Sequence, residues 1–131
     1  MTTELTILAW TLVLALVQIM LAAQLRTQET GLQYNMSARD DKAPPPRPIT
    51  GRLQRAQANL FETLPLFAAA VLIAHVANEE SAVTLWGCWL YLIARLVYVP
   101  LYAFGVPVLR SLVWALSLVG LVMVIAAVLV N

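Results

Sequence analysis

The chain of 131 residues has one cysteine, Cys88, and one histidine, His75. A lone thiol excludes an intrachain disulfide, and a lone thiol with a lone imidazole excludes a Cys/His metal cluster. Charge is scarce as well: 11% of the residues are charged, where soluble domains average about 25%. The formal net charge is only +1, and no basic cluster is interleaved with aromatics, so a nucleic-acid partner is not expected. There is no internal repeat and no strand-like alternation. A removable signal peptide is not expected either. MTTE, ahead of the first apolar run, has no positive charge, and LTILAWTLVLALVQIMLAA is long enough to read as a retained span.

What remains is apolar. Hydrophobic residues make up 61% of the chain, and mean hydropathy is +0.80. That composition belongs to a membrane protein, and the length suits about four spans of roughly 20 residues. The spans are expected at about 5–25, 52–77, 82–104 and 108–130. The first connection, about 26–51, contains SARDDKAPPPRPITG; its three consecutive prolines and Pro48 argue against helix there. ANEES joins spans two and three, and GVP at 105–107 breaks span three from span four. The expected fold class is therefore all-α: an integral membrane four-helix bundle with up-down-up-down topology. Arg26, Arg39, Lys42, Arg47, Arg52 and Arg55 belong to the first connection or its edges, and Arg110 lies beside the third. The positive-inside rule then puts these connections in the cytoplasm and both termini outside. Trp10, Trp86 and Trp89 would sit at the outer interface, with Tyr102 and Trp114 at the inner one.

Charge does intrude on the spans, and it does so in register. Arg55, Asn59 and Glu62 are spaced i, i+4, i+7 on span two; Arg95, Tyr98 and Tyr102 are spaced i, i+3, i+7 on span three. Each set shares a helix face. With antiparallel helices rising about 1.5 Å per residue, depth matches Arg55 with Tyr102, Asn59 with Tyr98 and Glu62 with Arg95. An unpaired charge in a bilayer is expensive, so Glu62 and Arg95 are expected to pair, directly or through a ligand. A purely structural reading stands beside this one, because polar side chains also hold membrane helices together. Gln18 is read as an interhelical hydrogen bonder, and His75 and Cys88 as packing residues. Pro65 and Pro100 are expected to kink their helices.

The stretch RAQANLFETLPLF at 55–67 resembles the helix-two signature of the MAPEG family, the membrane-associated proteins in eicosanoid and glutathione metabolism. ARLVYVPLY at 94–102, RS at 110–111 and AQLR at 23–26 are similar to further segments of that family. The resemblance implies a homotrimer with glutathione as co-substrate, bound between subunits near the cytoplasmic side. It implies that Arg26, Arg55, Gln57, Asn59, Glu62, Tyr98 and Tyr102 hold glutathione. Arg110 would be the catalytic group at the thiol, with Ser111 as its helper. The second substrate would be a lipophilic electrophile arriving from the lipid bilayer, and no metal is implied. The resemblance is to small, bacterial-type members, which implies an inner-membrane location. The sequence also departs from the family: Thr63 stands where some members have tyrosine, and Tyr98 where others have histidine. The spacing from Tyr102 to Arg110 is one residue off one member's pattern. No eicosanoid-forming activity is therefore implied.

Three functions are weighed on this reading. The first is a glutathione transferase, with peroxidase activity as a further expectation. The second is a non-catalytic lipid- or glutathione-binding membrane scaffold. The third is a small transporter that uses the Glu62–Arg95 pair.

Overall fold

The computed structural model describes residues 1–130. It consists of α1 (Thr3–Thr30), α2 (Leu32–Met36), α3 (Pro48–Val76), α4 (Ala82–Ala103) and α5 (Pro107–Leu129), with no strand among the described residues. All but the five-residue α2 are long and apolar enough to cross a membrane.

Local chemistry sets the helix ends. The Thr2 hydroxyl accepts from the Leu5 amide at the start of α1. Ser81 and Thr84 form a reciprocal capping box on α4, which satisfies two donors that a helix start leaves free. Pro48 and Pro107 occupy the first turns of α3 and α5, where a missing N–H costs nothing. Pro48 thus opens a helix rather than extending the loop, and α3 begins four residues before the expected Arg52. Helix α1 likewise runs on to Thr30, beyond the expected 25, until Gly31 turns the chain at φ +87°. Pro65 and Pro100 lie inside helices that stay continuous around them.

Hydrogen bonds between elements show which helix ends meet. Thr84 donates to Glu4 at 2.8 Å and Thr2 to Glu80 at 2.7 Å, so α1 and α4 begin side by side. Glu29, near the end of α1, accepts from Thr50 at the start of α3. Arg52 donates to the Ala103 carbonyl that closes α4 at 3.4 Å. The bundle therefore has an acidic end, with Glu4, Glu79 and Glu80, and a basic end, with Arg26, Arg47, Arg52 and Arg55.

Between them the core is apolar, built on Ile7, Leu60, Phe67, Val71, Tyr91 and Val124. Cys88 is fully buried in it. Helices α4 and α5 touch through glycines. A Cβ at Gly120 would lie 2.6 Å from the Gly87 carbonyl oxygen, and one at Gly87 would lie 2.8 Å from that of Gly120. Small residues that admit backbone contact are the usual means of packing helices in lipid. Outward faces carry Trp10, Leu12, Leu16, Trp86, Leu112 and Val122, all exposed, as a bilayer environment requires. Gln18 is buried, yet its amide bonds nothing among the described residues; the expected interhelical hydrogen bond is not formed there.

Candidate functional site

Helices α3, α4 and α5 bring six of the expected polar residues into one connected chain. Arg55 donates through Nε to the Tyr102 hydroxyl at 3.1 Å. The guanidinium of Arg110 lies over the Tyr102 ring, 4.7 Å from its centroid, and that of Arg55 stands at 5.7 Å. Tyr102 thus meets two arginines, each placed for cation–π attraction. Its ring packs edge-on against Tyr98, centroids 5.5 Å apart. Tyr98 in turn carries Arg95, whose guanidinium carbon is 4.4 Å from the ring centroid. Arg95 then donates from Nη1 to Asn59 Oδ1 at 2.8 Å.

The order of the layers holds, but their offset does not. Arg55 meets Tyr102 as expected, whereas Asn59 meets Arg95 instead of Tyr98, a slip of three residues on α4. The direct Glu62–Arg95 pair is consequently not formed among the described residues. The slip brings Asn59 within reach of Arg95, and Glu62, three residues further along α3, is left exposed. Arg95 is 1% exposed and answers its charge with an amide oxygen and an aromatic face. Its Nε and Nη2 bond nothing among the described residues.

Sequence reasoning missed the next layer. The Thr63 and Tyr91 hydroxyls are 2.8 Å apart in the core, and Tyr91 stacks on Phe67 at 4.0 Å. The signal was present: Thr63 follows Asn59 by four residues, and Tyr91 precedes Arg95 by four, so both fall on the faces already in contact.

Two expected site residues lie elsewhere. Gln57 follows Arg55 by two positions, which turns it away from the Arg55 face. It lines a groove of about 260 Å³ with Ile19, Ala22, Arg26, Arg39 and Gln54. Arg26 is already engaged: Nη1 meets Glu29 at 2.9 Å, and Nη2 donates to the Pro44 carbonyl at 2.6 Å. The expected residues therefore fall on two flanks of α3 that one copy of the chain does not join. A larger hollow, about 630 Å³, opens at the acidic end beside Glu79, Glu80 and Ser81; none of the expected residues lines it. The Ser111 hydroxyl donates to the Pro107 carbonyl of its own helix at 3.3 Å. His75, half exposed, meets Glu80 at 3.4 Å.

The chemistry of the column is rich in donors. The column holds three guanidiniums, an amide and two phenols, and α3 carries only one carboxylate nearby, that of exposed Glu62, a set suited to a ligand with more negative than positive groups. No group of three or more His, Cys, Asp and Glu side chains among the described residues is placed to hold a metal ion.

Comparison with known proteins gives a coherent class. The four apolar helices already define an integral, multi-pass, all-helical membrane protein. The family model for the MAPEG family matches residues 7–130, nearly the whole sequence. The chain belongs to the MAPEG family, which includes glutathione transferases and related enzymes. No curated protein matches it.

Proposed function

We propose that the protein is a membrane-bound glutathione transferase that joins the glutathione thiolate to a lipophilic electrophile. The observation that carries this reading is the continuous chain Asn59–Arg95–Tyr98–Tyr102 with Arg55 and Arg110 on the last ring. A purely structural pair of charges needs no such stack. Glutathione has two carboxylates and one amine, and the column offers arginines for the former and Glu62 for the latter.

The reaction needs a thiolate, and a free thiol ionises near pH 8.5. Arg110 lies in the first turn of α5, where its own charge and the positive end of the helix dipole both stabilise a nearby anion. Arg110 would hold the thiolate while the carbon–sulfur bond forms, the thiol proton passing to solvent and the leaving group departing with its electron pair. The flanking tyrosines and Arg55 would orient the tripeptide. Peroxidase turnover would use the same thiolate on a lipid hydroperoxide.

The two-flank arrangement supports a site completed between subunits. In this reading Arg55, Asn59, Glu62, Tyr98, Tyr102 and Arg110 come from one protomer. Arg26 and Gln57 come from its neighbour, in an up-down-up-down homotrimer. The basic end faces the cytoplasm by the positive-inside rule, and both termini lie outside.

Purified protein tests the proposal directly. Conjugation of glutathione to 1-chloro-2,4-dinitrobenzene should exceed the uncatalysed rate and be lost in Arg110→Ala; a wild-type rate equal to background overturns it. One observation favours a second reading, a glutathione-binding scaffold. Arg110 rests on Tyr102 and Ser111 is bonded to its own helix, so both proposed catalytic groups are engaged. Glutathione binding by calorimetry without turnover of any electrophile would support that alternative. No observation favours the transporter reading, since Glu62 and Arg95 form no direct pair among the described residues.

A further inference from the structure

An asparagine amide can present either a donor or an acceptor, and at position 59 one neighbour decides which. A guanidinium only donates, so the atom that meets Arg95 Nη1 at 2.8 Å must be Oδ1. The free end of the amide is then its NH₂ group. Arg95 is poorly placed to release it. Its side chain is 1% exposed and packed over Tyr98 at 4.4 Å, and Tyr98 is 1% exposed against the edge of Tyr102. Asn59 itself remains partly accessible, four residues from Arg55 on the same face.

We propose that Arg95 is a positioning residue that fixes Asn59 as a hydrogen-bond donor, making the subsite at Asn59 selective for a carboxylate or carbonyl oxygen. The inference rests on the glutathione reading above and adds to it. Arg95 is not paired with the ligand's counter-charge but sets the polarity of a residue that meets the ligand. Without its donor the amide is free to flip, and the subsite would accept an amine as readily as an oxygen.

Asn59→Asp is the sharpest probe, because it keeps an acceptor toward Arg95 at nearly the same size and replaces the NH₂ with a second oxygen. Calorimetry with S-methylglutathione measures binding apart from turnover. The variant should keep a Tm at or above that of the wild type, through a charge-assisted contact, while binding weakens about tenfold or more. Arg95→Met should raise the glutathione KM about tenfold with kcat within about twofold, and Arg95→Lys, which still donates, should recover most of that loss. A merely structural Arg95 would lower Tm in both variants without this split or rescue. Wild-type-like binding by folded Asn59→Asp, or a Lys variant no better than Met, overturns the inference alone. Absence of binding by the wild-type protein overturns the glutathione reading and this inference with it.

Discussion

The two flanks of α3 use the same kinds of residue in opposite ways. On the α4–α5 flank, Arg55 and Arg110 converge on one tyrosine and Arg95 is locked against another. None of the three is paired with a carboxylate among the described residues: Arg55 and Arg110 keep their charge beside the Tyr102 ring, while Arg95 is buried against Asn59 and Tyr98. On the α1 flank, Arg26 is spent on Glu29 and the Pro44 carbonyl, and Gln57 lines a shallow groove beside it. One flank leaves its arginines without a carboxylate partner among the described residues; the other is tied to the loop. A ligand needing both flanks would find the first ready and would have to compete with Glu29 at the second.

The largest effect should come from the ready flank. Arg110→Ala removes the cation proposed to face the thiolate, and loss of one such charge costs on the order of 10²–10³ in kcat. Glutathione affinity should change far less, since Arg55, Asn59 and Tyr98 remain. Stopped-flow kinetics beside calorimetry separates the two; an equal loss in binding would make Arg110 a holding residue and erase its distinction from Arg55.

Mixing protomers tests whether the flanks complete each other. Arg55→Ala and Arg26→Ala should each be nearly inactive when expressed alone. Co-expressed in equal amounts, they should regain about a quarter of wild-type activity, because a head-to-tail contact between unlike protomers restores one intact pairing in four. A site confined to a single protomer regains none. Co-purification through two different tags, followed by the conjugation assay, decides it.

A smaller change is expected at the ring the arginines share. Tyr102→Phe keeps both cation–π contacts and deletes only the hydroxyl that accepts from Arg55. Loss of one hydrogen bond of about 1 kcal/mol predicts a rise of about fivefold in KM. Tyr102→Leu, which removes the ring as well, should be worse. If the two variants behave alike, the hydroxyl alone orders this flank.

How much of this could be read in the sequence differs between the flanks for a physical reason. Helical spacing fixes which residues share a face, so Arg55, Asn59, Arg95, Tyr98 and Tyr102 could be grouped before any coordinates. The offset between helices depends on how side chains of unequal length interlock. That is why Arg55 kept its expected partner Tyr102 while Asn59, not Glu62, met Arg95. Arg26 and Glu29 are an i, i+3 pair that helical spacing permits once α1 runs past Leu25, but the Pro44 carbonyl on Arg26 was illegible, since it depends on the path of a proline-rich segment with no periodicity. The close approach of Gly87 and Gly120 is of the same kind: glycine permits contact, but only the fold says with what.

The tied flank can be loosened with acid. Helix α1 has 28 residues and rises about 42 Å, well beyond a hydrocarbon core of about 30 Å, so Glu29 stands past the apolar stretch ending at Leu25. Its carboxyl is lowered from 4.5 to about 2, chiefly by the Thr50 hydroxyl and then by Arg47 and Arg26, against some desolvation. A group whose folded pKa is depressed contributes stability that is fully present above its unfolded value and lost as pH falls through its folded one. The strap formed by Arg26, Arg47 and Thr50 should therefore hold unchanged down to about pH 4.5 and weaken between there and about pH 2. The Arg47 amide, which donates to Glu29 at 3.3 Å, reports on this directly. Its hydrogen-exchange protection, corrected for intrinsic rate, should fall across that window. Glu29→Gln should show reduced protection even at neutral pH, along with tighter glutathione binding as Arg26 is freed. Tighter binding without reduced protection would mean that Glu29 repels the ligand rather than holding the strap, and the contrast between the two flanks would then be one of charge rather than of occupancy.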